Sequence, residues 1–206
     1  MVNYTLTYFP LRAYGEYIRL LFKDNDIAFE DYAIPIPDWR PKHKQNYPYK
    51  QLPVLTEDGK VICQTGAILR HLARIYDLYG STEDERTFLD SFFDGLRDLR
   101  AKYMRIMYEE YEKKPEYVNE TLPTELAIIE TQFKTHKNGE GFVLGDKISF
   151  VDYALFEELD VANTSAPGSL DAFPALKAFH QRFQERPRIK EHIKTRFPAI
   201  NGVDYY

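Results

Sequence analysis

The apolar residues in the first part of the chain alternate between strand and helix spacing. Residues 4–9 (YTLTYF) alternate in polarity and are rich in strand-forming side chains, which predicts a first strand. Residues 14–23 place their apolar side chains on one helical face, and residues 27–34 return to strand character. A strand, a helix and a second strand in this order predict a parallel pair joined by a right-handed crossover. The irregular, proline-rich residues 35–50 are predicted to form a loop.

Residues 51–76 (QLPVLTEDGKVICQTGAILRHLARIY) are the most informative stretch. Two short apolar runs, at 54–55 and 61–62, flank an Asp-Gly pair, and the glycine supplies the positive φ that a tight hairpin turn needs. A helix with apolar residues at helical spacing then begins at Gln64 and Thr65. The free backbone N–H groups of such a helix start can bind an anion.

The proline before this hairpin defines a second feature of the same stretch. Leu52 precedes Pro53, so its backbone is held extended. If that prolyl bond is cis, the Leu52 backbone is open to pair with another chain. The Leu52 backbone would then pair with a peptide, and the nearby helix start would bind a carboxylate. Together they suit a short acidic peptide as the ligand. A plain structural hairpin–helix unit is the alternative interpretation.

The chain after residue 79 contains no further convincing strand. This predicts a mixed-sheet domain over residues 1–79 and an all-helical domain over residues 80–206. The helices predicted in the second domain span about 83–109, 122–136, 150–162 and 173–185. Residues 81–85 (STEDE) contain the signal of a capping box at the start of the first of these, and Ser149 with Asp152 repeats it at the third.

Composition and charge exclude several classes of protein. The 206 residues are 44% apolar and 15% aromatic, which is typical of a globular chain. The net charge of −5, with both signs interleaved, argues against a nucleic-acid partner. No apolar run reaches the length of a membrane span and the N-terminus does not resemble a signal peptide, so we expect a cytoplasmic protein with no membrane partner.

Cysteine and histidine usage restricts the chemistry further. The single cysteine, Cys63, excludes internal disulfides and a Cys-x-x-Cys redox motif. A thiol–disulfide oxidoreductase would need a cysteine between the first strand and helix, and FPLRAYGEY has none. The five histidines lack metal-ligand spacing, so we expect no metal site.

A few polar residues stand where chemistry is plausible. Tyr8 ends the first strand, and its hydroxyl can donate a hydrogen bond to a developing anion, although a packed tyrosine is the alternative. Trp39 and Lys44, in the proline-rich loop, can form a lid with one cation for a carboxylate, or the tryptophan can simply pack.

An acidic stripe follows on the long helix of the second domain. Asp90, Asp94 and Asp98 repeat at four-residue spacing and repel one another. Either a cationic partner such as an ammonium group offsets them, or they form a solvated face with Arg97 and Arg100 nearby.

Several of these segments together resemble cytosolic glutathione transferases, best the pi class and its invertebrate relatives. They are TLTYFPLRAYGEYIRLLF, QLPVLTEDGKVICQTGAILRHLAR, DGLRDLRAKY and GDKISFVDYALFEEL, and the resemblance runs over essentially the whole chain. It implies a thioredoxin-like N-terminal domain (βαβ–ββα), an all-helical C-terminal domain and a homodimer. It also implies a detoxifying enzyme that conjugates glutathione, as co-substrate, to hydrophobic electrophiles without a permanently bound cofactor.

The resemblance also implies roles for individual residues. Tyr8 matches the catalytic tyrosine. The glutathione-binding positions are Trp39, Lys44, Gln51, Leu52, Pro53, Gln64, Thr65 and, from the other subunit, Asp98. The electrophile pocket is Phe9, Leu11, Tyr14, Ile36, Met104, Tyr108 and Gly202. Tyr49 matches an aromatic key that enters a pocket of the partner, here around Phe92, Gly95 and Ile128.

The chain departs from the family pattern at a few positions. Tyr14 stands where the vertebrate pi enzymes have an arginine, which predicts a less basic mouth of the site, and Ala13 replaces a glycine. The loop after Trp39 is about one residue shorter and has Tyr47 where vertebrate members have a cysteine, which argues against redox control there. Thr65 replaces the usual serine but keeps the hydroxyl.

Two other functions stay open on the same scaffold. One is a glutathione-dependent isomerase of the prostaglandin type, which only the substrate pocket distinguishes from a transferase. The other is a non-catalytic protein that binds glutathione or hydrophobic ligands. Retention of Tyr8, Gln64, Thr65 and Asp98 argues against the second.

Overall fold

A mixed four-stranded sheet forms the N-terminal domain. The computed structural model describes residues 2–199. The strands are β1 (Tyr4–Tyr8), β2 (Glu30–Ala33), β3 (Val54–Glu57) and β4 (Lys60–Cys63), in the spatial order β2-β1-β3-β4. Strand β1 runs parallel to β2 and antiparallel to β3, and β3 and β4 form a hairpin. The predicted parallel pair and hairpin are therefore confirmed.

Helices complete this domain and build the second one. In the N-terminal domain these are α1 (Ala13–Asp24) and α2 (Thr65–Ile75). The helical domain contains α3 (Glu83–Tyr108), α4 (Leu122–Phe133), α5 (Phe150–Ser165), α6 (Pro174–Gln184) and α7 (Pro187–Thr195). The βαβ–ββα order followed by an all-helical part confirms the predicted fold class. The division at residue 79 lies between α2 and α3 and stays our prediction for the domain boundary.

Two parts of the prediction need correction. Residues 35–50 are not a plain loop, because short helical turns occur at Ile36–Asp38, Trp39–His43 and Lys44–Asn46. Helix α7 was not predicted, since its sequence is largely charged and Ile189 is its one fully buried side chain among those described. It is held against α1, where His192 Nε2 lies 2.9 Å from Glu16 Oε1.

The two domains are joined by a buried network of charged and hydroxyl groups. Arg12, at the start of α1, donates to Glu157 of α5 at 2.7 Å. Tyr17 of α1 donates to Glu158, which also accepts from Arg100 of α3 at 2.8 Å. Each charge therefore has a partner of opposite sign or a hydroxyl, as burial of charge requires. The network fixes α1, and with it the end of β1, relative to the helical domain.

Both capping boxes are present. Thr82 N–H donates to Glu85 Oε2 and Glu85 N–H donates to Thr82 Oγ1, each at 3.2 Å, where α3 begins. At α5, Asp152 Oδ2 accepts from Ser149 N–H at 2.7 Å. Burial of the Asp152 carboxyl raises its pKa to about 6, against the effect of the N–H groups of Val143 and Ser149 that donate to it.

Candidate active site

The start of α2 and the segment before β3 form one edge of the candidate site. The Leu52–Pro53 bond is cis, and Gln64 has a φ of +72°, which is uncommon for a non-glycine residue. Gln64 Nε2 donates to Gln51 Oε1 at 3.3 Å, so the two glutamines lie together. The first intrahelical bond runs from Ile68 N–H to Gln64 O at 2.9 Å. The N–H groups before it have no intrahelical acceptor and are available to an anion.

A polar cleft opens beside this helix start, with a volume of about 330 Å³. It is lined by Phe9, Tyr14, Trp39, Lys50, Gln51, Leu52, Gln64, Thr65 and Arg97. Most of the predicted glutathione-binding positions thus lie together in one cavity. Its lining includes two cations, Lys50 and Arg97, and no carboxylate. Its electrostatic character therefore favours an anionic ligand.

An apolar cavity of about 690 Å³ adjoins the polar cleft. It is lined by Phe9, Leu11, Ile36, Pro37, Trp39, Arg40, Tyr108 and Glu109. Phe9 and Trp39 line both spaces, and their rings meet edge to face with centroids 5.7 Å apart. These two rings therefore form the boundary between a compartment for a charged ligand and one for an apolar ligand.

Tyr8 lies at the end of β1, next to Phe9, and is in the lining of neither cavity. It is only 4% exposed, and its ring centroid is 5.4 Å from that of Phe9. Its other face meets the first turn of α1, where a Cβ on Gly15 would lie 2.4 Å from Tyr8 Cδ1. The ring is thus held between a side chain shared by both cavities and a glycine backbone.

The hydroxyl of Tyr8 stays protonated at neutral pH. Burial raises the pKa of Tyr8 well above its ordinary value, and the neighbouring Tyr108 hydroxyl adds to the effect, while Arg100 and Arg19 oppose it. A neutral phenol is a hydrogen-bond donor. Tyr8 is therefore suited to donate to an anion rather than to act as a base.

Some predicted site residues lie away from these cavities. Pro53 is buried and lines neither cavity. Lys44 is in the helical turn Lys44–Asn46 and lines neither cavity. Met104 packs against the hydrophobic core and likewise lines neither cavity. Gly202 lies outside the described residues.

The negative charge of the acidic stripe on α3 is neutralised mainly by an arginine of α2. Arg70 pairs with Asp90 at 2.6 Å and with Asp94 at 3.3 Å. Asp98 remains exposed, away from the polar cleft of its own chain. The expectation that Arg100 borders a solvated face is wrong, because Arg100 is 1% exposed and pairs with Glu158 inside the protein.

A separate groove on the helical domain contains Asp98. Its volume is about 450 Å³ and its lining is Phe88, Ser91, Phe92, Gly95, Asp98, Lys102, Glu125, Ile128, Ile129 and Gln132. The three residues predicted to receive the Tyr49 ring are all in this lining. Tyr49 itself is 64% exposed and does not line the groove of its own chain.

Sequence reasoning did not single out Lys50 and Arg97 as site residues. The sequence holds no local signal for Arg97, because its place at the cleft depends on the packing of Phe93, one helical turn before it, against Gly66 at the start of α2. Within residues 2–199 no helix is long and apolar enough to cross a membrane, and no three acidic, histidine or cysteine side chains group as metal ligands.

Comparisons with known proteins give the family. The family model described as "Glutathione S-transferase, N-terminal domain" matches residues 4–74. The model described as "Glutathione S-transferase, C-terminal domain" matches residues 97–196. A Caenorhabditis elegans protein described as glutathione S-transferase P is 47% identical over 201 residues, covering 96% of each chain.

Solved structures agree with this assignment. The pi-class glutathione S-transferase of Onchocerca volvulus is 48% identical and superposes with a TM-score of 0.91, over 93% of this chain and 92% of that one. The prostaglandin synthase D of Nilaparvata lugens is 33% identical with a TM-score of 0.82, over 94% of this chain and 98% of that one. The family predicted from the motifs is therefore confirmed, and the chain belongs to the glutathione S-transferases, transferases that use glutathione as their substrate.

Proposed function

We propose that the protein conjugates the thiolate of glutathione to hydrophobic electrophiles, with Tyr8 as the catalytic residue. The observation that carries this proposal is the contact of two cavities of opposite character. The polar cleft and the apolar cavity share the rings of Phe9 and Trp39, and the Tyr8 ring contacts that of Phe9 with centroids 5.4 Å apart. A charged thiol peptide and an apolar electrophile bound in these two spaces meet at that boundary.

The charges of glutathione fit the polar cleft. At neutral pH the tripeptide has two carboxylates and one ammonium group. We assign the γ-glutamyl carboxylate to the start of α2, at Gln64 and Thr65, where N–H groups and the helix dipole favour an anion. Leu52 then faces the cysteinyl unit. Gln51 and Trp39 are left for the glycyl end, with Lys44 near it.

The chemistry requires an ionised thiol. A free thiol with a pKa of about 8.5 is only a few per cent thiolate at neutral pH. A hydrogen bond from the neutral Tyr8 hydroxyl favours the charged form. Lowering the thiol pKa by about two units needs roughly 2.7 kcal/mol, and a hydrogen bond to a charged group contributes about 1.5–3 kcal/mol.

The thiolate then attacks an electrophilic carbon in the apolar cavity. A carbon–sulfur bond forms, and the electron pair leaves with the displaced group. Binding both reactants side by side makes the step effectively unimolecular. The apolar lining selects which electrophiles bind, and the cavity volume suits a small organic molecule.

A glutathione-dependent isomerase is the second candidate. Similarity to a prostaglandin synthase D supports it, and both reactions need the same activated thiol. The greater identity to pi-class transferases favours conjugation. The two functions differ in the substrate that enters the apolar cavity.

We further propose that the active unit is a homodimer. The exposed Tyr49 ring and the groove around Gly95 lie on the same chain but do not meet, which suits a reciprocal contact between two copies. Asp98 lies in that groove and would reach the γ-glutamyl ammonium of the neighbouring site. The cytoplasmic location expected from the sequence stays a prediction.

A conjugation assay tests the catalytic assignment. With 1-chloro-2,4-dinitrobenzene as electrophile, Tyr8→Phe should lose at least about tenfold in turnover at neutral pH, which corresponds to about 1.4 kcal/mol or more. Glutathione affinity, measured by titration calorimetry, should change little. The matched control is Tyr32→Phe, since Tyr32 is exposed on the edge strand β2. Turnover of Tyr8→Phe within twofold of wild type would remove Tyr8 from the mechanism.

A further inference from the structure

Unlike Arg70 and Arg100, Arg97 forms no ion pair with a carboxylate among residues 2–199. Arg70 pairs with Asp90 and Asp94, and Arg100 pairs with Glu157 and Glu158. The Nε of Arg97 is buried and has no hydrogen-bond partner among residues 2–199. A buried donor without an acceptor is costly. Because Arg97 also lines the polar cleft, a ligand bound there can pair with the outer nitrogens of its guanidinium.

The packing of α3 on α2 fixes where the Arg97 guanidinium lies. A Cβ on Gly66, the second residue of α2, would lie 3.1 Å from Phe93 Cε1. Arg97 follows Phe93 by one turn on the same face of α3. The guanidinium is therefore next to the start of α2, and it lines the polar cleft together with Gln64 and Thr65.

Tyr14 holds this guanidinium from the other side. The Arg97 Cζ lies 6.0 Å from the centroid of the Tyr14 ring, a cation–π arrangement. Tyr14 in turn meets Tyr17 edge to face at 6.2 Å, and Tyr17 meets Phe93 at 6.3 Å. This chain of rings connects α1 to α3 and orients Arg97 across the mouth of the cleft.

We infer that Arg97 binds the α-carboxylate of the γ-glutamyl residue of glutathione, with Tyr14 as its positioning residue. The inference rests on the proposed function, because it assumes that glutathione occupies the polar cleft. The guanidinium fork matches a carboxylate in planar, bidentate geometry, which a lysine cannot reproduce. Arg97 thereby adds a charged donor to the N–H groups at the start of α2.

Calorimetric titration with two peptides tests the assignment. One peptide is glutathione, and the other is γ-aminobutyryl-cysteinyl-glycine, which lacks only the α-carboxylate in question. Arg97→Gln should weaken glutathione binding about tenfold, as expected for loss of a hydrogen bond to a charged group. The same substitution should leave binding of the decarboxylated peptide unchanged within twofold. The matched control is Arg105→Gln, which removes an exposed arginine of the same helix that pairs with Glu110.

Each outcome decides between the two proposals. Equal affinity of wild type and Arg97→Gln for glutathione overturns the role of Arg97 and leaves the proposed function intact. Equal loss for both peptides also overturns it, because the effect then comes from a general distortion of the site. Wild-type protein that binds no glutathione overturns the proposed function itself.

A second variant covers the case in which Arg97→Gln does not fold. Arg97→Lys keeps the charge and the aliphatic stem over Tyr14 but loses the planar fork. Its dissociation constant for glutathione should rise, by less than that of Arg97→Gln, while its affinity for the decarboxylated peptide stays at the wild-type value. An unchanged constant for glutathione would overturn the bidentate contact.

Discussion

The ring of Tyr8 lies against the backbone of Gly15, so closely that a Cβ at Gly15 would stand 2.4 Å from Tyr8 Cδ1 and 2.7 Å from Cγ. No side chain fits there unless the ring moves. Glycine inside a helix costs about 0.5–1 kcal/mol relative to alanine. The position of the phenol is therefore set by a residue that is locally unfavourable for the helix that contains it.

Gly15→Ala should displace the Tyr8 ring and lower turnover about tenfold or more, since small misplacements of reacting groups have large effects on rate. Overpacking should also reduce the free energy of unfolding by about 1–3 kcal/mol. Urea unfolding and the conjugation rate check both, and a fully active Gly15→Ala protein would contradict the argument.

Tyr49→Ala should shift the protein toward monomer, because the ring is exposed in the single chain and the groove around Gly95 is open. Burial of such a ring contributes about 2–3 kcal/mol, which changes a dissociation constant tens-fold or more. Gly95→Trp should do the same by filling the groove, whereas Tyr49→Phe should not. Sedimentation at micromolar concentration measures the monomer fraction. An unchanged dimer for both Tyr49→Ala and Gly95→Trp would show that the Tyr49 ring does not hold the dimer together.

Asp98 should act on the glutathione of the neighbouring subunit. Asp98→Asn should weaken glutathione binding with little loss of stability, because the carboxylate is exposed. Mixing Asp98→Asn with Tyr8→Phe subunits gives a sharper test. If Asp98 acts across the dimer, each mixed dimer regains one complete site, and activity at low glutathione concentration exceeds that of either variant alone. No gain after subunit exchange would mean that Asp98 acts within its own chain or only as a surface charge.

Low pH should weaken the contacts of Asp160, which help to hold the two domains together. This carboxylate accepts from Arg12 at 2.6 Å, from Arg196 at 2.7 Å and contacts His180 at 2.9 Å. Burial alone would raise the pKa of Asp160, but the hydrogen bond with His180 and the two guanidinium groups outweigh it and hold the pKa well below its ordinary value. A lowered pKa in the folded state stabilises the fold above the unfolded pKa of about 3.9, and that contribution is lost as the pH falls through the folded value.

Asp160→Asn should therefore lose about 3 kcal/mol of unfolding free energy at pH 6. The difference from wild type should shrink progressively below about pH 4, where wild type loses the same contribution. Unfolding by urea across this range measures it. Asp146→Asn is the control, because its ion pair with Lys137 is exposed and should contribute little. A difference that is constant with pH would mean that Asp160 acts through packing rather than through its charge.

The hairpin, the helix starts and the fold class were predictable because their signals are local. An Asp-Gly pair between short apolar runs, a proline after Leu52 and acidic residues three positions after a serine or threonine each act within a few residues of the chain. The pattern of the family's motifs also predicted Tyr8, Gln64 and Thr65 as site positions, and that assignment stays a prediction.

Features that depend on contacts between residues far apart in the sequence were not predictable in this way. Helix α7 is largely charged. It is held against α1 by the contact of His192 with Glu16 and by Arg186, just before the helix, which pairs with Asp24. The acidic stripe on α3 was interpreted without knowledge of Arg70, which comes from another helix. Residue spacing cannot reveal such partners, because they are far away in sequence.

The sequence by itself therefore determined the strands, most of the helices, their order and the residue types that the chemistry needs. The tertiary structure alone decided which charges are paired and which are left for a ligand. Arg70 of α2 and Arg97 and Arg100 of α3 illustrate this. Arg70 pairs with aspartates of α3 and Arg100 is buried against Glu158 of α5, whereas Arg97 lines the cleft and forms no ion pair among the described residues. The physical reason is that helix and turn preferences arise from local backbone geometry, whereas the free energy of a charge depends on everything folded around it.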